Sequence, residues 1–139
     1  MKNLLICLSC VILLCSCVTR DQADKRLEAG CRAAAEMFID SDFFVKKIKR
    51  VTSKPSAEFG AGYRDITIFA VESDNWLDLD KEYKCTFAEE FGLLNATYQA
   101  SLYQVHVNDK TYGKKGDQIL GDIEDHLKLV KAVQDAMRP

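Results

Sequence analysis

Tyr63-Arg64-Asp65-Ile66-Thr67-Ile68-Phe69-Ala70-Val71 is the stretch whose reading decides the fold. Ile66, Ile68 and Ala70 fall on one face, and Thr67, Phe69 and Val71 on the other. That period of two is what an extended strand imposes on its side chains. Apolar groups on both sides predict a strand covered on both faces. Asp74-Asn75 then turns the chain, and Tyr83, Cys85 and Phe87 alternate with Lys84, Thr86 and Ala88 in a second strand that Gly92 ends. Residues 95–107 read as a long third strand, with Thr97, Tyr103, Val105 and Val107 suited to a pleated surface. Asn108-Asp109 is a bend signal, and residues 110–112 read as a short return strand.

Toward the N-terminus, residues 56–63 contain Gly60 and Gly62 and read as a loop. In residues 43–51, Phe44, Ile48 and Val51 fall at helical spacing while Lys46, Lys47, Lys49 and Arg50 face elsewhere. This predicts a second short helix that stops before Lys54-Pro55, because the residue preceding a proline is pushed out of the helical region. Residues 18–40 predict the first helix. Thr19 and Gln22 have capping-box spacing, and Leu27, Cys31, Ala34 and Phe38 form one apolar stripe beside Ala35. At the other end, Gly113-Lys114-Lys115-Gly116 leads to Asp117, read as the cap of a final helix in which Leu120, Ile123, Leu127, Val130 and Val133 recur at three- and four-residue steps. Helix, strands, helix is the order of an α+β domain: an antiparallel sheet of three to four strands with N-terminal and C-terminal helices packed on it.

The start of the chain carries an address. Met1-Lys2-Asn3 precedes an apolar run over residues 4–18, broken by Ser9 and Ser16, which is the pattern of an export signal. The run is shorter than the roughly 20 apolar residues of a membrane span. It ends in Leu14-Cys15-Ser16-Cys17, which resembles the lipobox of bacterial lipoproteins. In that family the cysteine thiol is joined to a diacylglyceryl group and the signal is cut just before it. The resemblance implies a signal peptide at residues 1–16 and a single small extracytoplasmic domain at residues 17–139, anchored by a covalent lipid on Cys17. Cys15 departs from the Ala, Ser or Thr more frequent there, and an earlier site at Cys10 leaves a very short apolar core. Residue 18 is Val, not the Asp that tends to retain such proteins on the inner membrane of enteric bacteria, which implies the periplasmic face of the outer membrane. Each buried methylene contributes ~0.8 kcal/mol and stable attachment takes two chains, so the implied anchor is permanent.

On that expectation the cysteine arithmetic changes. Cys7, Cys10 and Cys15 leave with the signal and Cys17 is acylated, so Cys31 and Cys85 remain of the six cysteines. Two cysteines in an oxidising compartment pair most economically as one disulfide. A zinc site is the weaker reading, since two cysteines without a nearby histidine do not complete one. Lys plus Arg number 19 against 21 Asp plus Glu, a formal charge of −2, and loss of Lys2 takes the remainder to −3. There is no basic excess to suggest nucleic acid.

Candidate chemistry is sparse. His106 and His126 stand on different elements without metal-ligand spacing and read as surface or boundary residues, and a GxSxG nucleophile elbow is missing. Asp74, Asp78, Asp80 and Glu82 surround Trp76, but the glycine and ligand spacing of a calcium loop are not there. A lone tryptophan reads first as core; its second reading is a partner anchor, with Asp74 and Asp78 beside it, because interface hot spots favour Trp. Lys46, Lys47, Lys49 and Arg50 read as a solvated helix face, with contact to an anionic membrane surface as the alternative. Gly113-Lys114-Lys115-Gly116 reads as a flexible basic turn, although a helix N-terminus after it suits an anion. Asn95-Ala96-Thr97 is a glycosylation sequon that a bacterial lipoprotein leaves idle.

Phe44-Val45-Lys46-Lys47, Lys54-Pro55-Ser56-Ala57-Glu58-Phe59, Asn75-Trp76 and Tyr83-Lys84-Cys85-Thr86-Phe87 are together similar to a pattern of small uncharacterised exported bacterial domains. That resemblance, over residues 31–87, implies a disulfide-stapled module and no activity. The expected function is a non-enzymatic envelope lipoprotein, a binding or assembly accessory domain with an envelope protein partner. Its rivals are a periplasmic inhibitor or immunity lipoprotein against a wall hydrolase or toxin, and a small wall- or lipid-modifying enzyme. An inhibitor would carry a protruding loop at residues 74–80 or 108–116. An enzyme would need a cleft with a carboxylate or His106 at an abnormal pKa.

Overall fold

Thr19 and Gln22 start the first helix by the reciprocal bonding their spacing predicts: the Gln22 N–H donates to Thr19 Oγ1 and the Thr19 N–H to Gln22 Oε1. The computed structural model describes residues 17–139, so the expected signal peptide over residues 1–16, with Leu14, Cys15 and Ser16 of its expected lipobox, lies outside the described residues. In chain order the elements are α1 (Arg20–Glu36), β1 (Phe44–Pro55), β2 (Tyr63–Ser73), β3 (Asp78–Phe91), a 3-10 turn (Leu93–Asn95), β4 (Tyr98–Val107), β5 (Lys110–Lys115), β6 (Gln118–Leu120) and α2 (Ile123–Ala136). The fold is α+β. The strands form one sheet in the order β1-β2-β3-β4-β5-β6, every neighbour antiparallel.

Six strands replace the expected three to four, and both additions have a physical cause. Residues 43–51 are extended, not helical. The register between β1 and β2 shifts between Val45 and Lys47 and again between Ile48 and Arg50. Each bulge inserts one residue, so Val45, Ile48 and Val51 meet Glu72, Ala70 and Ile68, three steps on one strand against two on the other. A strand bulged twice thus imitates a helical spacing. At the other end Gln118–Leu120 pairs with β5, and Gly121 at φ 98° separates it from α2. The cap of α2 is therefore Asp122, not Asp117: its Oδ1 accepts the Glu124 N–H at 2.7 Å and the Asp125 N–H at 3.4 Å. The buried stripe is rotated as well. His126, Leu129 and Val133 face inward while Ile123 and Leu127 are exposed.

One core joins helices and sheet. Leu27, Cys31 and Ala34 of α1 pack with Ile66, Ile68 and Ala70 of β2, Tyr83, Cys85 and Phe87 of β3, and Val105 and Val107 of β4. Gly30 sets the distance between the helices: a Cβ there would stand 2.7 Å from Met137 Cγ and 3.1 Å from Val133 Cγ1. The Cys31–Cys85 disulfide ties α1 to the middle of β3, between two fully buried positions. Closing a loop of 54 residues stabilises the fold by about 4 kcal/mol on the chain-entropy model. On the outer face of the sheet, Thr86 Oγ1 donates to buried Asp65 at 2.8 Å, Lys84 Nζ lies 3.3 Å from the same carboxylate, and Phe59, Tyr63 and Tyr103 pack as an aromatic trio.

Candidate functional site at the Trp76 hairpin tip

Ser73 and Asp78 form the last pair between β2 and β3, which leaves Asp74 to Leu77 as the tip of a long hairpin. Asp74 builds this loop from within. Its Oδ1 accepts the Leu77 N–H at 2.7 Å and the Trp76 N–H at 2.9 Å, while its own N–H donates to the Leu77 carbonyl at 3.3 Å. These backbone donors, Leu77 first, hold the Asp74 carboxyl below the ordinary carboxylate value. Asn75 takes the left-handed conformation at φ 78° that the turn requires, and asparagine tolerates it. Its N–H donates to Ser73 Oγ at 3.2 Å.

The loop therefore directs Trp76 outward. Trp76 is 95% exposed, and Leu77 next to it and Phe44, which on β1 pairs with Ser73 of β2, are exposed too. The core reading of this tryptophan is overturned: the turn leaves the indole no neighbour to pack on from behind. The flanks are charged but engaged. Lys46 Nζ lies 2.8 Å from Asp78, Lys49 Nζ 2.6 Å from Asp80, and the Arg50 guanidinium 4.3 Å above the Phe69 ring. The hydrogen bond from Lys46, then one from Ser73, keeps Asp78 below its ordinary value. Of the three residues read as a partner contact, Trp76 presents surface, Asp74 positions it, and Asp78 is held by Lys46.

The basic cluster belongs to this end of the molecule. Lys46, Lys47, Lys49 and Arg50 lie on β1 opposite residues 69–72 of β2, not on a helix face. Such a bulged, lysine-rich outer strand is poorly suited to pairing with another chain.

Cys17 lies at the far end of β3. It is exposed, its Sγ is 3.4 Å from the Leu94 carbonyl oxygen, and the adjacent Val18 N–H donates to the Asn95 carbonyl at 2.9 Å. Next to it Arg20 grips Glu89 bidentately, Nη1 to Oε2 at 2.8 Å and Nη2 to Oε1 at 3.1 Å, while Tyr98 Oη donates to Glu89 Oε2 at 3.0 Å. Burial, then the Glu89 charge, drives the Tyr98 hydroxyl well above its ordinary value. Fourteen residues of β3, at ~3.3 Å each, put up to about 45 Å between this end and the Trp76 tip.

The remaining candidates stand apart from both ends. His106 Nδ1 lies 2.8 Å from Thr111 Oγ1 across the β4–β5 hairpin, at the surface. His126 is buried rather than at the boundary, in a cavity of about 320 Å³ with Phe38, Tyr112 and Leu129, and its Nδ1 has no partner. Burial first, then Lys114, lowers its pKa. Gly113-Lys114-Lys115-Gly116 lies in β5 and the turn to β6, so no helix N-terminus follows it directly. A groove of about 690 Å³ runs past Arg26, Tyr63, Glu89, Tyr98 and Gln134. Among the described residues, no three His, Cys, Asp or Glu side chains gather as metal ligands, and no helix is long and apolar enough to cross a membrane.

The sequence signals a turn at Asp74-Asn75, just before Trp76, but offers no reason for full exposure of the indole, because turn signals fix the backbone and not the packing of a side chain. The Arg20–Glu89 pair was missed altogether, since 69 residues separate its members. Comparison with protein-family models, with curated proteins and with solved structures finds no match.

Proposed function

We propose that the chain is an envelope lipoprotein of the outer membrane, held by lipid on Cys17, whose domain is a non-enzymatic binding or assembly accessory module contacting an envelope protein through Trp76. The single observation that carries the reading is the indole, 95% exposed at the end of β3 opposite Cys17. A bare tryptophan costs solubility, and a rigid aromatic on a preorganised loop is the kind of group that dominates protein interfaces. Leu77 and Phe44 add apolar area around it, and the Lys46–Asp78 and Lys49–Asp80 pairs supply a polar rim. The basic residues of β1 serve that rim in this account rather than a membrane contact.

The test is a cross-linking pull-down from the native envelope with three forms of the full chain: lipidated protein, Cys17→Ala and Trp76→Ala. The reading predicts one envelope protein captured by the first form and lost from both variants. Capture that survives Trp76→Ala would refute the tip as the contact. The protruding tip also favours the inhibitor reading, for which residues 74–80 were the place to look. An inhibitor acts in solution without its lipid, so a Cys17→Ala chain that still blocks a wall hydrolase or toxin in a soluble assay would select that reading.

A further inference from the structure

We infer that the turn between β3 and β4 is a membrane-seated ledge, with Leu93 and Leu94 entering the apolar boundary of the same leaflet that takes the lipid of Cys17. The inference rests on the lipoprotein reading and adds a second, non-covalent contact to it. Leu93 is 86% and Leu94 82% exposed, adjacent in sequence and both isolated from the core. The turn that carries them is closed by backbone bonds, Gly92 N–H to the Thr97 carbonyl at 2.9 Å and Asn95 N–H to the Gly92 carbonyl at 3.0 Å, so it is a fixed projection.

Its backbone is also what Cys17 and Val18 touch. The Leu94 carbonyl is 3.4 Å from the Cys17 sulfur and the Asn95 carbonyl takes the Val18 N–H. The atom that would bear the lipid thus sits within one residue of the two leucines. α1 begins only three positions after Cys17, and three extended residues reach about 10 Å at most. A leaflet holding the lipid therefore meets this turn before any other part of the domain.

The backbone of the turn is left-handed at two successive residues. Leu94 lies at φ 54°, ψ 28° and Asn95 at φ 57°. Glycine adopts the left-handed region without cost and asparagine tolerates it, whereas leucine is disfavoured there. Both leucine side chains stand in water, and the apolar boundary of a leaflet beside Cys17 would relieve that exposure. Transfer of each leucine into such a medium shifts partition by roughly tenfold or more. The occupant is a lipid surface recognised by apolarity, so a neutral bilayer is the probe.

The experiment uses the lipidated full chain in phosphatidylcholine vesicles. In a Trp76→Phe background, Leu93→Trp and, separately, Leu94→Trp place the only indole in the turn. Mass spectrometry of the same samples reads the adduct on Cys17. The expected result is a diacylglyceryl-type mass on Cys17, with emission from both variants shifted to the blue and quenched by lipids nitroxide-labelled near the headgroup. The parent protein, reporting through Trp76, should show neither change. The Cys17 adduct present with both turn indoles unshifted and unquenched overturns the ledge and leaves the lipoprotein reading standing. Absence of the adduct overturns the lipoprotein reading, and the ledge with it. Both variants replace exposed side chains, and thermal midpoints equal to the parent's confirm that quenching reports the native fold.

Discussion

The two ends of β3 handle charge and apolar surface in opposite ways. At the Cys17 end, charges are drawn inward: Arg20 grips the mostly buried Glu89 bidentately and lies 4.6 Å over the Phe91 ring, Tyr98 donates to the same carboxylate, and Arg64 holds Asp24 at 2.8 Å. At the Trp76 end the ion pairs are at the surface, where such pairs contribute little to stability. Bidentate, partly desolvated bonds are the strong ones. The difference teaches a division of labour: one end is fastened, and the other presents a side chain without needing it for stability.

Removing the shared staple should break both ends at once and is the largest effect expected. The Cys31→Ala/Cys85→Ala pair should lose about 4 kcal/mol in urea unfolding, with reductant reproducing the loss in the parent protein. Glu89→Gln separates the ends. It keeps the shape and removes the charge that Arg20 and Tyr98 share, so stability should fall by about 1–2 kcal/mol. Amide exchange should accelerate over residues 20–24 while the tip remains unchanged.

A smaller effect tests the middle of the molecule. The folded-state pKa of His126 lies below the ordinary 6.5, so the unfolded chain binds more protons below that value. Its contribution is present above about pH 6.5 and is lost as pH falls through and below it. His126→Leu, which also removes the unpartnered Nδ1, should flatten the stability profile between about pH 5 and 6.5 relative to the parent. The smallest effect is the most pointed. Trp76→Ala should leave the thermal midpoint where it was, because an indole in water stabilises nothing, and a clear drop would place that side chain in the fold rather than at an interface.

How far the sequence could be read follows the same physics. Strict alternation made β2 and β3 legible, and local chemistry identified the Thr19–Gln22 cap. The disulfide followed from counting which cysteines remain after the implied processing. Residues 43–51 read as a helix from Phe44, Ile48 and Val51, because two bulges turn a period of two into steps of three at Val45, Ile48 and Val51. The start of α2 was misplaced because Leu120 continues the apolar spacing of the helix although Gly121 breaks the chain there. Leu93 and Leu94 drew no reading, yet an apolar pair between Gly92 and Asn95 belongs to neither strand. That is a signal for an outward-facing turn, open to anyone who asks where the pair would be buried.

The central claim is polarity: lipid at one end of β3 and a protein partner at the other. Photo-cross-linking in the intact envelope tests it most directly, with a photoreactive amino acid at position 76 or at position 93 of the full chain. The account predicts a discrete protein adduct from position 76 and lipid adducts from position 93. Lipid adducts from position 76, or the same protein adduct from both positions, would contradict it.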